Sequence, residues 1–439
     1  MANTYLSKTF GTPTNNIKWT WSAWIKRSKV TGSQQRLFFA VNGSNYTTIQ
    51  FDDEQKLVWF NEISGTDMQL ITNREFRDTN AWMHLVFVYD SANSTAADRQ
   101  IIYINGVRVT SFATENTAGS NVTTAINQAV VHNIASGPGA ANFYDGLMSH
   151  IHFSDGYTYA ASTFGSTDST TGEWKINTAP SITMGNNGFT ILKDGNTITD
   201  QSSNSNDFSL GGGTLTKTED CPSNVFATLN PLSYQVASQM SAPPTNGNTT
   251  LVSGSGGAWG TLISTIGATT GKYYFEAKCI ANGNNCIVGA VDINDNRSNS
   301  SAEWYIGQSS TGQGYQNNGS ASNGGASYGA TYTNGDIIGV AMDLDNYKLY
   351  FRKNNGAWEN SGNPESGSTG TGAMSLTAGT TYAFALTGHA STTWYSNFGN
   401  GYFSTGAVAS AGTNASGIGI FEYDVPTGYT ALSTKGLNL

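Results

Sequence analysis

Short runs in which apolar and polar residues alternate dominate the chain. Trp19-Thr20-Trp21-Ser22-Ala23-Trp24-Ile25, Gln35-Arg36-Leu37-Phe38-Phe39 and Thr47-Thr48-Ile49-Gln50-Phe51 all have period two. Successive side chains of a strand point to opposite faces, so this period predicts strands with one buried face. Leu57-Val58-Trp59-Phe60 and His84-Leu85-Val86-Phe87-Val88-Tyr89 are more apolar, as expected of strands covered on both sides. Asn105-Gly106, between Ile101-Ile102-Tyr103-Ile104 and Val107-Arg108-Val109-Thr110, is the clearest hairpin signal, because a type I′ turn needs positive φ at both central residues. A run over residues 146–153 closes a set of about ten strands at sandwich spacing.

A second strand-rich region starts near Thr249. Lys272-Tyr273-Tyr274-Phe275-Glu276-Ala277 and Ile287-Val288-Gly289-Ala290-Val291 read as strands. Residues 337–343 and 347–351 form a predicted hairpin over Leu344-Asp345-Asn346, and runs at 381–386 and 393–398 follow. The expected organisation is a sandwich over 1–160, a connector with short strands (188–192 among them) over 161–248, a sandwich over 249–400, and a C-terminal segment, 401–439, packing back on the second domain. The fold class is all-β: two jelly-roll-like antiparallel β-sandwiches joined by a partly ordered connector. No fixed-period repeat, heptad or collagen triplet is present.

Composition agrees. The 439 residues include 51 glycines, and only 12% are charged. Gly, Ser, Thr and Asn disfavour helices and suit tight turns. Disorder shares that polarity but is poor in aromatics, whereas this chain has 10 Trp, 21 Tyr and 20 Phe. A net charge of −9 and no basic block exclude a nucleic-acid partner and disfavour anionic lipid. No stretch approaches the roughly 20 apolar residues of a membrane helix. The first ten residues lack the basic and apolar regions of a signal peptide, so the expectation is synthesis in a cytoplasm without export by that route.

Three cysteines cannot all pair within the chain. If Asn282-Gly283 is a two-residue turn, Cys279 and Cys286 lie opposite each other on a hairpin. Reduced thiols are the favoured reading for a cytosol-made protein and a disulfide the alternative. Cys221 precedes Pro222 in a loop and has no obvious partner.

The first region resembles laminin G-like, concanavalin A-type modules. The residues that carry this are Trp19-Thr20-Trp21-Ser22-Ala23-Trp24-Ile25-Lys26-Arg27, Ala81-Trp82-Met83-His84-Leu85-Val86-Phe87-Val88-Tyr89-Asp90, Ile102-Tyr103-Ile104-Asn105-Gly106-Val107 and Asp145-Gly146. The second region resembles a SPRY-type sandwich through Gly271-Lys272-Tyr273-Tyr274-Phe275-Glu276, Val288-Gly289-Ala290, the run over 335–344 and Lys348-Leu349-Tyr350-Phe351-Arg352-Lys353-Asn354. Together with Ser7-Lys8-Thr9-Phe10-Gly11-Thr12-Pro13-Thr14 and Asn224-Val225-Phe226-Ala227-Thr228-Leu229-Asn230-Pro231-Leu232, this order is similar to virion structural proteins of tailed phages, cyanophages among them. That resemblance implies a particle-surface protein with other virion proteins and host-surface carbohydrate as partners, and a homo-oligomer, a trimer in particular. A tail fibre or tail-tip component is the expected role, and a capsid-decorating or head-fibre protein the alternative.

Relatives of the first fold include laminarinase-type hydrolases, recognised by an E-x-D-x-x-E strand whose carboxylates share a face. Asp52-Asp53-Glu54 is adjacent rather than alternating, and Glu422-Tyr423-Asp424 lacks a third carboxylate, so no catalytic residue is assigned. His150 and His152, two apart, are expected on a polar outer face with Leu147, Ile151 and Phe153 on the other, a metal pair being the alternative. Asp200-Gln201-Ser202-Ser203-Asn204-Ser205-Asn206-Asp207 alternates oxygen groups but lacks the Gly and Glu of an EF-hand. It resembles a turn common in laminin G-like modules, many of which bind calcium at a rim; the expectation is no cofactor, with calcium left open. Trp304, Tyr305, Tyr315, Tyr328 and Trp358 fall in long loops of the second region and are the glycan-binding candidates. Their alternative role is to cap the sandwich core. Trp19, Trp21 and Trp59 lie within strands and are expected in the core.

Overall fold

Alternation of period two becomes pairs of facing sheets in each half of the chain. The computed structural model describes residues 3–30, 32–63, 65–193, 195, 197–233, 240, 242–254, 259–283, 285–295, 305–322 and 325–439. Among them are strands and short 3-10 turns and no α-helix, so the chain is all-β. It divides into two units, Met1–Lys217 and Thr218–Leu439.

In the first unit an eight-stranded sheet runs in the order Phe112–Asn116, Thr66–Glu75, Lys56–Ile63, Asn45–Phe51, Gln35–Asn42, Val131–Ile134, Tyr5–Thr9 and Ser209–Gly212. The facing six-stranded sheet runs Phe189–Ile191, Gly146–Asp155, Lys18–Arg27, Met83–Asp90, Gln100–Ile104 and Val107–Arg108. Trp19 and Trp21 meet Phe38 and Trp59 between them, all fully buried. The Trp19 ring lies 5.2 Å from Trp59 and 5.6 Å from Tyr89, and its Nε1 donates to Thr124 Oγ1 at 3.1 Å. That bond satisfies the buried indole N–H of Trp19, and burial of each of these rings contributes on the order of 3 kcal/mol. The Asn105-Gly106 turn forms as its sequence requires, with φ of 48° and 80°.

In the second unit a seven-stranded sheet runs Thr250–Val252, Thr393–Asn397, Lys272–Ala281, Ile337–Asp343, Lys348–Lys353 and Met374–Ser375, and Thr430–Ala431 pairs in parallel with Lys272–Ala281. A four-stranded sheet, Trp259–Ile263, Tyr382–His389, Asn285–Asp292 and Gln313–Gln316, closes the sandwich.

Three sequence expectations change. The residues expected as a connector are shared out: 189–191 and 209–212 add edge strands to the first unit, while Phe226, Ala227 and Leu229 enter cores of the second. The hairpin after Ile337–Asp343 turns over residues 344–347, with Tyr347 itself at φ 56°. Most consequentially, the strands carrying Cys279 and Cys286 are not a hairpin. One lies in the seven-stranded sheet and the other in the four-stranded sheet, because the chain changes layers between Ala281 and Asn285 rather than pairing back within one.

Candidate functional site

Of the five loop aromatics chosen from sequence, the four described do not form one cluster: Tyr315 and Tyr328 pack together at 5.7 Å, and Tyr305 and Trp358 lie elsewhere. Tyr315 and Tyr328 are core residues, 0% and 8% exposed. Tyr315 packs 5.6 Å from Phe351 and donates its hydroxyl to the Ala330 carbonyl, and Tyr328 donates to the Gly372 carbonyl at 3.1 Å. With the ring faces enclosed and the hydroxyls engaged, neither offers a stacking surface. Trp358 is half-buried on the outer side of the seven-stranded sheet, with the Arg352 guanidinium 4.8 Å above its ring. Trp304 lies outside the described residues.

Among the described candidates Tyr305 joins a surface cluster of aromatic and polar side chains, and its partners are residues the sequence did not single out. Its ring stacks on Trp259 at 4.5 Å and 25°, and Trp259 lies 4.8 Å from His389. The ladder explains the assembly. Trp259 pairs with His389 and His389 with Asn285, so one row crosses three adjacent strands on the outer face of the four-stranded sheet. All four side chains are half-buried. The rows beneath hold Thr261, Thr387 and Ile287, then Ile263 and Ala385, and Ile306 closes over them. Thr261 and Thr387 bond to each other through their hydroxyls at 2.7 Å, leaving a mainly apolar floor. Two stacked rings beside an amide and an imidazole form a platform that can take an apolar face and meet hydroxyl groups at its edge. Alternation across the run from Trp259 to Ile263 was the available signal. The neighbouring strands that supply His389 and Asn285 are more than a hundred and about two dozen positions away, respectively, which one strand's pattern cannot show.

The histidine pair has a different fate. Ser149 opposes Trp24 and His152 opposes Ser22, so His150 and Ile151 together face Ala23: a bulge, with His150 at φ 47°. The extra residue resets the alternation. Met148, Ile151 and Phe153 face the core, and Leu147 falls opposite Lys26 on the outer side. That outer side is not solvent-facing. Ala161 and Phe164, with Tyr159, Trp174 and Ile182, pack over Val86 and Val88. His152 stacks on Phe164 at 5.7 Å and pairs through Nδ1 with Thr190 Oγ1 at 2.9 Å. Beside it His84 lies between Trp24 and Trp174. Trp174 Nε1–H donates to His84 Nδ1 at 3.1 Å, so the proton sits on Nε2 and is donated to Ser22 Oγ at 2.8 Å. Burial pushes both His84 and His152 down to about 3, fixing them neutral.

The Asp200 loop is a fastener. Asp200 Oδ1 accepts from the Thr190 and Ser202 amides, and Oδ2 from Ser202 Oγ and the Asn206 amide, all at 2.8–2.9 Å. Those contacts occupy the oxygens a calcium ion would need, so these residues do not fit one. Asp155, fully buried, is held the same way by the Thr14, Asn15 and Asn187 amides and by Asn127 Nδ2. Among the described residues no group of three or more His, Cys, Asp or Glu side chains could hold a metal ion.

Residues 2–162 match a laminin G family model described as the concanavalin A-like lectin/glucanases superfamily, so this stretch of the first unit is similar to laminin G, concanavalin A-like domains. The chain is also similar, at low identity, to three solved structures. These are the SPRY domain of human HERC1 (15% identity, 38% of this chain and 96% of that chain, TM-score 0.27), a heptameric SAP-like pentraxin from Limulus polyphemus (14%, 35% and 70%, 0.26) and a protein from Bacteroides ovatus described as carbohydrate-binding (12%, 49% and 58%, 0.34). No curated protein matches the chain.

Proposed function

We propose that this chain is a non-enzymatic, carbohydrate-adhering protein whose contact surface is the Trp259–Tyr305–His389–Asn285 platform. The observation that carries the reading is the stacked Trp259–Tyr305 pair at 4.5 Å, set in one ladder row with an imidazole and an amide. Flat rings suit the C–H face of a pyranose, and polar groups at the rim suit its hydroxyls. The lectin-like stretch of the first unit supports the same substrate class. The likeness of the motif order to tailed-phage proteins supports a place on the virion surface, with host-surface glycan as target and a homotrimer as the working assembly. A tail fibre or tail-tip position follows from adhesion.

The test is a glycan array probed with the full chain and with a W259A/Y305A variant. Binding weakened at least tenfold, with both thermal transitions kept, is expected; unchanged binding would overturn the assigned surface. Mass spectrometry of purified particles, with copy number, tests placement: a handful to a few dozen copies fit a tail, hundreds a capsid coat.

A further inference from the structure

Cys279 and Cys286 occupy facing layers of the second sandwich, yet their Sγ atoms lie 3.7 Å apart. Both are fully buried and both are free thiols. Cys279 sits opposite Trp394 in the seven-stranded sheet, and Cys286 opposite Gly388 in the four-stranded sheet. The Tyr332 hydroxyl closes the site from one side, its single proton shared between the Cys286 and Tyr315 carbonyls at 2.8 and 2.9 Å. Two sulfurs at this separation need to approach by about 1.7 Å to reach bonding distance, a movement that small side-chain rotations supply.

We propose that Cys279 and Cys286 are an inter-sheet cross-linking site, two thiols placed to close into a disulfide when the chain meets an oxidising small-molecule disulfide such as oxidised glutathione. In the first step one cysteine thiolate attacks a sulfur of that disulfide and expels one glutathione thiolate. The second cysteine, deprotonated in turn, attacks the mixed disulfide and expels the other. Two protons pass from the cysteines through solvent to the two released glutathiones, and the two electrons reduce the reagent. The Cys286 thiol is held protonated by its contact with Cys279 and by burial, so closure is slow and needs brief exposure of the buried pair. The bond would tie the two layers where the chain passes between them, closing a short loop and restricting the unfolded chain.

The experiment uses the full chain carrying C221S, which removes the half-exposed third thiol. After incubation with oxidised glutathione the protein is denatured in an alkylating reagent and mapped by non-reducing mass spectrometry, and its melting is followed in parallel. Expected are loss of both thiols, an internally cross-linked 279–286 segment with two hydrogens fewer, and a rise in the second unit's Tm of about 5 °C. A C286A variant should show no such rise. Thiols that stay alkylatable when oxidation is repeated in mild denaturant would overturn the proposal, as would glutathione adducts on each cysteine, a fall in Tm on closure, or the same rise in the C286A variant.

Discussion

Each unit covers the outer side of one sheet with a stretch of its own chain, and each anchors that cover on a buried ionisable group of opposite kind. In the first unit, 159–182 lies over His84 and His152, neutral imidazoles stacked among Trp24, Phe164 and Trp174. In the second, Phe421, Val425 and Tyr429 lie over Tyr274 and Tyr350, and the anchor is Glu276, whose oxygens accept from the Glu422 and Tyr423 amides at 2.8 and 2.9 Å. Burial lowers the histidines to about 3 and raises Glu276 to about 7. The contrast teaches that the same architectural need can be met through either sign of desolvation. It also separates the units by pH.

The largest expected effect follows from that. His132, buried in the first core with its Nδ1 2.9 Å from the Val130 carbonyl, is also lowered to about 3. A lowered histidine contributes stability that is present above its unfolded value near 6.5 and lost as pH falls toward 3. From pH 7 to 5 each of the three therefore costs the first unit about 2 kcal/mol. Glu276 runs the other way: a raised carboxyl stabilises below its unfolded value near 4.5, and that stability is lost as pH rises through 7. The same acidification returns about 2 kcal/mol to the second unit. Calorimetry of the whole chain, with hydrogen exchange assigning each transition, should show the first moving down and the second up. Parallel shifts would break the comparison.

Substitutions at the anchors sharpen it. Trp174→Ala removes a half-buried ring and a hydrogen-bond donor, and should cost the first unit roughly 2–3 kcal/mol. Gly106 depends on the same ring: a Cβ there would lie 2.3 Å from Trp174, at a φ of 80°. Trp174→Phe keeps the stacking and should cost about 1 kcal/mol, while raising the His84 titration seen by NMR, because Nδ1 no longer accepts an N–H. In the second unit Glu276→Gln should cost about 1–2 kcal/mol at pH 5, since an oxygen that accepts from a backbone amide, as even the hydroxyl of the protonated acid can, becomes an NH2 group that cannot. It should also flatten the second transition between pH 5 and 7. A slope that persists would place the titration elsewhere.

Much of this was legible in sequence and some could not be. Strand positions and the all-β class follow from alternation, which is a local property of 19–25 or 84–89. The core placement of Trp19, Trp21 and Trp59 follows for the same reason. The His150 bulge was invisible because one extra residue shifts the face of everything on one side of it, and nothing in Ser149-His150-Ile151 announces the shift. Tyr315 and Tyr328 misled because a Gly- and Asn-rich surrounding marks a loop in chain but not its depth in space. The Trp259–Tyr305–His389 platform joins residues from 259 to 389, an adjacency set by sheet order, which no single segment encodes.

The smallest expected effect separates Trp358 from Trp259, the half-buried tryptophans among the described residues of the second unit. Trp358 lies beneath Arg352, whose guanidinium is also 5.6 Å from Tyr274 and donates to the Tyr274 hydroxyl at 3.2 Å and to the Asp424 carbonyl. Its work is to support a cation that holds the C-terminal cover. Trp358→Ala should therefore cost the second unit only about 0.5–1 kcal/mol, read as a small drop in its Tm, and leave glycan binding unchanged. Trp259→Ala at the edge strand should do the reverse, abolishing most binding with little change in melting. If the two variants exchange outcomes, the stacking surface belongs to the Arg352 side of the sandwich and the platform on the four-stranded sheet is structural.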